Sequence, residues 1–222
     1  LTSVQEVIAD LGEVRLPGLL GLPERAKGLV LFAHGSGSSR LSPRNNMVAA
    51  VLRKAGLGTF LFDLLTPNED LDPRSRFDVK LLARRLIAAT NWAANRVPGL
   101  PLGYFGASTG AAAAILAAAT SPAKIGAIVS RGGRVDLARD VLHLISVPTL
   151  LIVGELDEPV LSINSSALEL LKGPKRLAVV RGASHLFEEP GALEEVARLS
   201  AEWFSAYLTA QATNAPAPPS CP

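Results

Sequence analysis

The sequence predicts an α/β fold, a mostly parallel sheet with helices on both faces. Three observations predict it. Short continuous apolar runs recur along the chain, as strands buried on both faces require. Between them lie stretches whose apolar residues are three or four apart, the spacing of an amphipathic helix. And run after run ends in glycine or small polar residues, as strands do where they empty into loops at one edge of such a sheet. The 222 residues suffice for one α/β domain that buries roughly 70% of its unfolded-chain surface. Residues 1–209 read as that domain, and 210–222, rich in Ala and Pro, as a disordered tail.

Taken in order, Val14–Leu22 and the segment before it read as two early strands, or as a strand and an irregular lead-in. Pro17 and Pro23 argue for an edge position. Leu29–Ala33 is an apolar strand that ends in the loop His34-Gly35-Ser36-Gly37-Ser38-Ser39. Asn45–Ala55 is helical by period, and Gly56 stops it. Thr59–Phe62 is the next strand, followed by a polar loop over Thr66–Pro73 whose acids Glu69, Asp70 and Asp72 read as solvated. Arg74–Arg96 has the period of one long helix, with Phe77, Leu81, Leu82, Leu86, Ala89 and Ala93 on its apolar face. Leu102–Phe105, Ile125–Val129, Thr149–Val153 and Arg176–Val180 are strands. Asp136–Ile145 and Ser165–Leu171 are helical, and Leu193–Leu208 closes the fold with Trp203, Phe204 and Tyr207 on its inner face.

Composition narrows the function. A net charge of +2 gives no pull toward nucleic acid or an anionic membrane. The single cysteine, Cys221, allows no intrachain disulfide, which favours a reducing, cytoplasmic compartment. The first ten residues have no basic segment of the signal-peptide kind, and the alanine run Ala111–Ala119 is too short to span a bilayer. No metal-ligating cluster, P-loop or dinucleotide fingerprint stands where it would be needed, so no cofactor and no metal are expected.

The chemistry points to Gly106-Ala107-Ser108-Thr109-Gly110, a G-x-S-x-G turn between a strand and a helix. Such a turn exposes a serine in a strained backbone at a helix start. Gly106, Gly110 and the alanines that follow let strand and helix come close. A serine hydroxyl needs a base to become a nucleophile. Of the three histidines, His185 follows the last strand at the same edge and is the expected base. His34 is expected to shape the loop beside it, and His143 lies in a short helix. The base needs a carboxylate to fix its tautomer. Asp157, three residues past Gly154, is the expected one, with Glu155 as the alternative. The Thr109 amide and one from Gly35 or Ser36, Ser36 favoured, would form the oxyanion hole. Arg131 and Arg134 would either hold an anionic group of the substrate or pair with Asp136 or Glu155 to fix loops. The roughly twenty residues between the Ile125 and Thr149 strands leave no room for a helical cap, which implies an open site for small soluble substrates.

Over residues 25–209, the segments His34-Gly35, Gly106–Gly110, Gly154-Glu155-Leu156-Asp157 and Ala183-Ser184-His185 resemble the α/β-hydrolase superfamily. The short capless form resembles its dienelactone-hydrolase-like branch. The resemblance implies the α/β-hydrolase fold without a cap domain and triad roles for Ser108, Asp157 and His185. Dienelactone hydrolases proper carry cysteine where this chain has Ser108. Some similar sequences are joined to a phosphoribosyltransferase domain, which is not read here. The expectation is a carboxylesterase-type serine hydrolase with a small-molecule ester substrate and neither nucleic-acid nor membrane partner. The alternatives are a thioesterase or peptidase with the same triad, and a non-catalytic anion-binding module on the same fold.

Overall fold

The computed structural model describes residues 3–208; the expected tail and Cys221 lie outside the described residues. The strands are β1 (Val4–Asp10), β2 (Arg15–Gly21), β3 (Leu29–Ala33), β4 (Gly58–Phe62), β5 (Leu102–Ala107), β6 (Ile125–Arg131), β7 (Thr149–Gly154) and β8 (Lys175–Val180). They form one sheet in the order β1-β2-β4-β3-β5-β6-β7-β8. The first two pairings, β1 with β2 and β2 with β4, are antiparallel, and the remainder are parallel. The order reverses between β3 and β5, and that is where Ser108 follows β5.

The helices are α1 (Pro43–Lys54), α2 (Pro67–Asp70), α3 (Pro73–Phe77), α4 (Val79–Arg96), α5 (Thr109–Thr120), α6 (Glu158–Leu170) and α7 (Ala192–Tyr207), with a 3₁₀ stretch at Val135–Leu144. Strand alternation sorts the core into two layers. Leu29, Leu31 and Ala33 of β3 and Leu102 and Tyr104 of β5 pack toward α4, α5 and α6. Val30 and Phe32, with Phe105 and Ala107, pack toward α1 and α7. Tyr104 is buried, and its hydroxyl meets Thr90 Oγ1 at 2.7 Å, so the polar tip is satisfied inside the apolar layer. Among the described residues only the 3₁₀ stretch lies between β6 and β7, and no helical cap stands over the strand ends.

Four expectations change. The two early strands both form, but β1 is the edge strand and β2 lies inside the sheet. Pro17 is tolerated because the ladder with β4 begins one residue later, at Gly18 opposite Phe62, so its missing N–H is not needed there. The helix expected over Arg74–Arg96 is two helices. Asp78 turns out of helical geometry and caps α4 by accepting from the Leu81 amide, which leaves Phe77 57% exposed and outside the core. The acidic loop is pinned rather than free. Glu69 and Thr66 form a reciprocal cap on α2, and Glu69 also takes the buried Arg85 at 2.8 Å. Asp70 holds Arg76, and Asp72 caps α3. At the end of α7, Tyr207 is 36% exposed with its ring against Trp203, and Val196, Ala197, Leu199 and Phe204 form the inner face of α7.

Candidate active site

The nucleophile turn is held by close approach of backbone to backbone. Ser108 has φ 50° and ψ −120°, one of two non-glycine residues with positive φ among those described. A Cβ on Gly110 would overlap the carbonyl oxygens of Ala33 and His34, and one on Gly106 would overlap Ala111. Both positions therefore admit no side chain, and the start of α5 is pressed against the end of β3. The Ser108 amide donates to the Arg131 carbonyl at 3.1 Å, and the Ser108 carbonyl accepts from the Arg134 amide at 3.1 Å. The loop after β6 thus fixes the strained residue from both sides.

The acid and the histidine come from two loops stitched together at the ends of β7 and β8. Glu155 N donates to Val180 O, and Leu156 N to Ala183 O, each at 2.9 Å. Glu155 Oε2 accepts from the Gly182 amide at 2.8 Å, so this carboxylate is spent on the turn. Asp157 begins α6 but caps nothing with its side chain. Its Oδ2 lies 2.6 Å from His185 Nδ1. Asp157 is 11% exposed and His185 38% exposed, so the pair is dry on the acid side and open on the histidine side. With Nδ1 held, Nε2 is the nitrogen left to work.

The ring of His185 lies over Gly132: a Cβ there would sit 3.3 Å from its Cε1. Gly132 follows the residue whose carbonyl takes the Ser108 amide. Serine and imidazole therefore flank the same two-residue step, Arg131-Gly132. The Ser108 hydroxyl makes no hydrogen bond to the ring among the described residues. Such contacts are commonly long in free enzymes and tighten with substrate.

Gly35 runs beside Ser108; a Cβ on it would lie 3.2 Å from Ser108 Cβ and from Ala107 O. The Ser36 amide, favoured as second oxyanion donor, donates instead to Thr109 Oγ1 at 2.9 Å. The Gly35 amide has no backbone partner among the described residues. His34 anchors this loop: Nδ1 donates to the Gly35 carbonyl and Nε2 accepts from the Leu64 amide, both at 3.0 Å. Burial holds its pKa below the ordinary 6.5, in keeping with a neutral ring that must accept at Nε2. A cleft of about 430 Å³ lined by His34, Ser38, Arg40, Asp63 and Leu65 adjoins the loop.

The two arginines separate. Arg134 is held by both oxygens of Asp136, at 2.9 and 2.8 Å, which is the loop-fixing alternative. Arg131 pairs with neither Asp136 nor Glu155; it is buried, and strand alternation puts it on the same face of β6 as Ala127 and Val129, which pack toward α1 and α7. The Glu155 turn contact, the Thr109–Ser36 contact and the burial of Arg131 left no mark in the sequence, because each depends on a partner far along the chain. No group of three or more His, Cys, Asp or Glu among the described residues is arranged to hold a metal ion.

No protein-family profile matches the chain. Two Mycobacterium tuberculosis proteins whose names describe a phosphoribosyl transferase are 53% identical over 206 residues, 92% of this chain. The chain spans about half the length of these curated relatives, 46%. Among solved structures, a dienelactone hydrolase from Anabaena variabilis is 54% identical, with a TM-score of 0.90 over 93% of this chain and 99% of that one. Est1E from Butyrivibrio proteoclasticus shares the fold at 16% identity, with a TM-score of 0.75 over 90% and 99%. A serine hydrolase homologue from Coxiella burnetii does so at 18%, with a TM-score of 0.76 over 91% and 97%. The reversal of strand order at Ser108 and the 54% identity along nearly all of a solved relative lead to one conclusion: this chain belongs to the α/β-hydrolase superfamily, in its dienelactone-hydrolase-like branch.

Proposed function

We propose that the chain is a serine hydrolase that cleaves small soluble carboxylic esters through an acyl-enzyme. The observation that carries this reading is the 2.6 Å Asp157–His185 pair, whose ring overhangs the backbone step that holds the strained Ser108. Ser108 Oγ attacks the ester carbonyl while His185 Nε2 takes its proton. The Asp157 carboxylate keeps the imidazole in the Nδ1–H tautomer and stabilises the imidazolium. The Thr109 amide, at the start of α5, and an amide of the Gly35-Ser36 loop hold the oxyanion. Use of the Ser36 amide requires the Thr109 hydroxyl to release it; the Gly35 amide needs no such release. His185 then gives the proton to the leaving alkoxide. Water enters, loses a proton to the same nitrogen, and frees the acid and the serine.

The open strand ends suit small substrates, since only the 3₁₀ stretch lies where a cap would be. Arg134 is not assigned to substrate because Asp136 occupies it. The transferase name belongs to proteins of about twice this length, and it is not carried over.

Fluorophosphonate labelling tests the nucleophile. The wild type is expected to label and Ser108→Ala not to; label that persists in the variant rules this serine out. A panel of p-nitrophenyl esters, thioesters and aminoacyl amides is expected to show turnover of short esters. Preference for a thioester or an amide would move the reaction class without moving the triad.

A further inference from the structure

One buried amide side chain stands behind the loop that holds Ser108 and has no part in the chemistry described so far. Asn164, in the middle of α6, is fully buried. Its Nδ2 donates to the Gly133 carbonyl at 2.9 Å and to the Val160 carbonyl, one turn back in its own helix, at 2.8 Å. Both partners are acceptors, so the nitrogen must face them and the surroundings fix which way the amide points. Its Oδ1 has no partner among the described residues, so only the donor end of this side chain is used. The Gly133 carbonyl in turn accepts from nothing else among them. Gly133 has no room to shift: a Cβ there would overlap Ser130 Oγ and stand 2.8 Å from Ala111 Cβ of α5.

The Gly133 carbonyl and the Arg134 N–H belong to one peptide group. Such a group is planar, and in the trans form its oxygen and hydrogen point to opposite sides. Asn164 holds the oxygen, and the N–H donates to the Ser108 carbonyl at 3.1 Å. The plane cannot tilt without loosening one contact or the other. The Ser108 amide is held separately, by the Arg131 carbonyl, so the Asn164 relay governs the carbonyl side of Ser108, where ψ is −120°. The same helix follows directly on Asp157, which holds His185. One rigid rod thus carries the histidine's partner at its start and the serine's support about two turns later. We infer that Asn164 is a positioning residue for the proposed ester cleavage: through the Gly133–Arg134 peptide it keeps Ser108 in the strained conformation from which Oγ is presented to His185. This rests on the reading of Ser108 as nucleophile. Asn164 itself touches neither substrate nor reacting atoms. An apolar side chain in its place would leave the Gly133 oxygen buried without a donor, which drives the peptide to tilt.

Asn164→Leu keeps the volume and removes the donor. Asn164→Ser keeps a hydroxyl for the Val160 carbonyl, as serine does inside helices, but is too short to reach Gly133. Sites are counted by fluorophosphonate labelling carried to completion, and turnover of a short p-nitrophenyl ester is expressed per labelled site, so unfolded protein does not enter. In both variants kcat per site is expected to fall about 10- to 100-fold with KM within about threefold, the split that follows when a group acts on the reacting geometry and not on substrate binding. The acid limb of the kcat/KM pH profile is expected to stay at its wild-type position, because the Asp157–His185 pair is untouched. Thr90→Val, which removes the buried contact with Tyr104, is the control for lost stability and is expected to keep wild-type kcat per site. Equal kcat per site in the wild type and both Asn164 variants overturns the inference and leaves the hydrolase reading standing. So does a shifted acid limb, which routes the effect through His185, or an equal loss of kcat in Thr90→Val at a matched loss of Tm. A wild type that neither labels nor turns over esters overturns the hydrolase reading, and the inference with it.

Discussion

Around Ser108 the chain is held by exclusion; around His185 it is held by hydrogen bonds. At the nucleophile turn, Gly106 and Gly110 leave no room for a side chain, and the backbone of α5 lies against that of β3. At the acid and histidine, two loops are joined by the Glu155, Leu156 and Gly182 amides and by one charged pair, with the histidine side open to solvent. Exclusion gives a rigid position and tolerates no substitution. Hydrogen-bonded loops tolerate substitution but place the ring through one contact. Under the proposed mechanism, Ser108 is thus fixed before substrate arrives, and His185 retains the freedom to close on it.

This contrast can be broken most sharply at the single contact. Asp157→Asn should lower kcat about 10⁴-fold, because an amide stabilises the wrong tautomer. Glu155→Gln should leave kcat within about threefold, since its carbonyl oxygen still accepts from Gly182. Equal losses in the two variants, measured on a short p-nitrophenyl ester, would make Glu155 the orienting acid. On the excluded side, Gly110→Ala should cost about 3 kcal/mol or more of stability, because its methyl meets backbone carbonyls that cannot move aside. Urea denaturation reads this, and a near-neutral result would show that α5 can shift. The smallest effect sharpens the comparison. Ser108→Gly should abolish turnover yet raise stability by about 1 kcal/mol, since glycine adopts positive φ without strain. A destabilised glycine variant would mean that the serine is not strained.

Much of this was legible because the signals are local. Gly106–Gly110, with a strand before and alanines after, announced both the turn and the close packing. The pairing of Asp157 rather than Glu155 with His185 followed the sequence reading, since three residues past Gly154 the chain has turned back over the strand ends. Other features were not legible. The period of Arg74–Arg96 runs through Asp78, and only the capped geometry shows the break. Pro17 looks like an edge residue until the register with β4 is known. Ser36 looked like the free amide, but Thr109 Oγ1, 73 residues away in sequence, holds it.

By itself the sequence determined the α/β layering of the fold, the strand–turn–helix at Gly106–Gly110 and the chain order of Ser108, Asp157 and His185 at strand ends, because period, glycine placement and strand ends are properties of neighbouring residues. Tertiary structure alone decided which donors are taken and which are left over. The Arg134–Asp136 pair, the occupied Ser36 amide and the unmet guanidinium of Arg131 depend on which distant segments meet, and on how completely that meeting shuts out water.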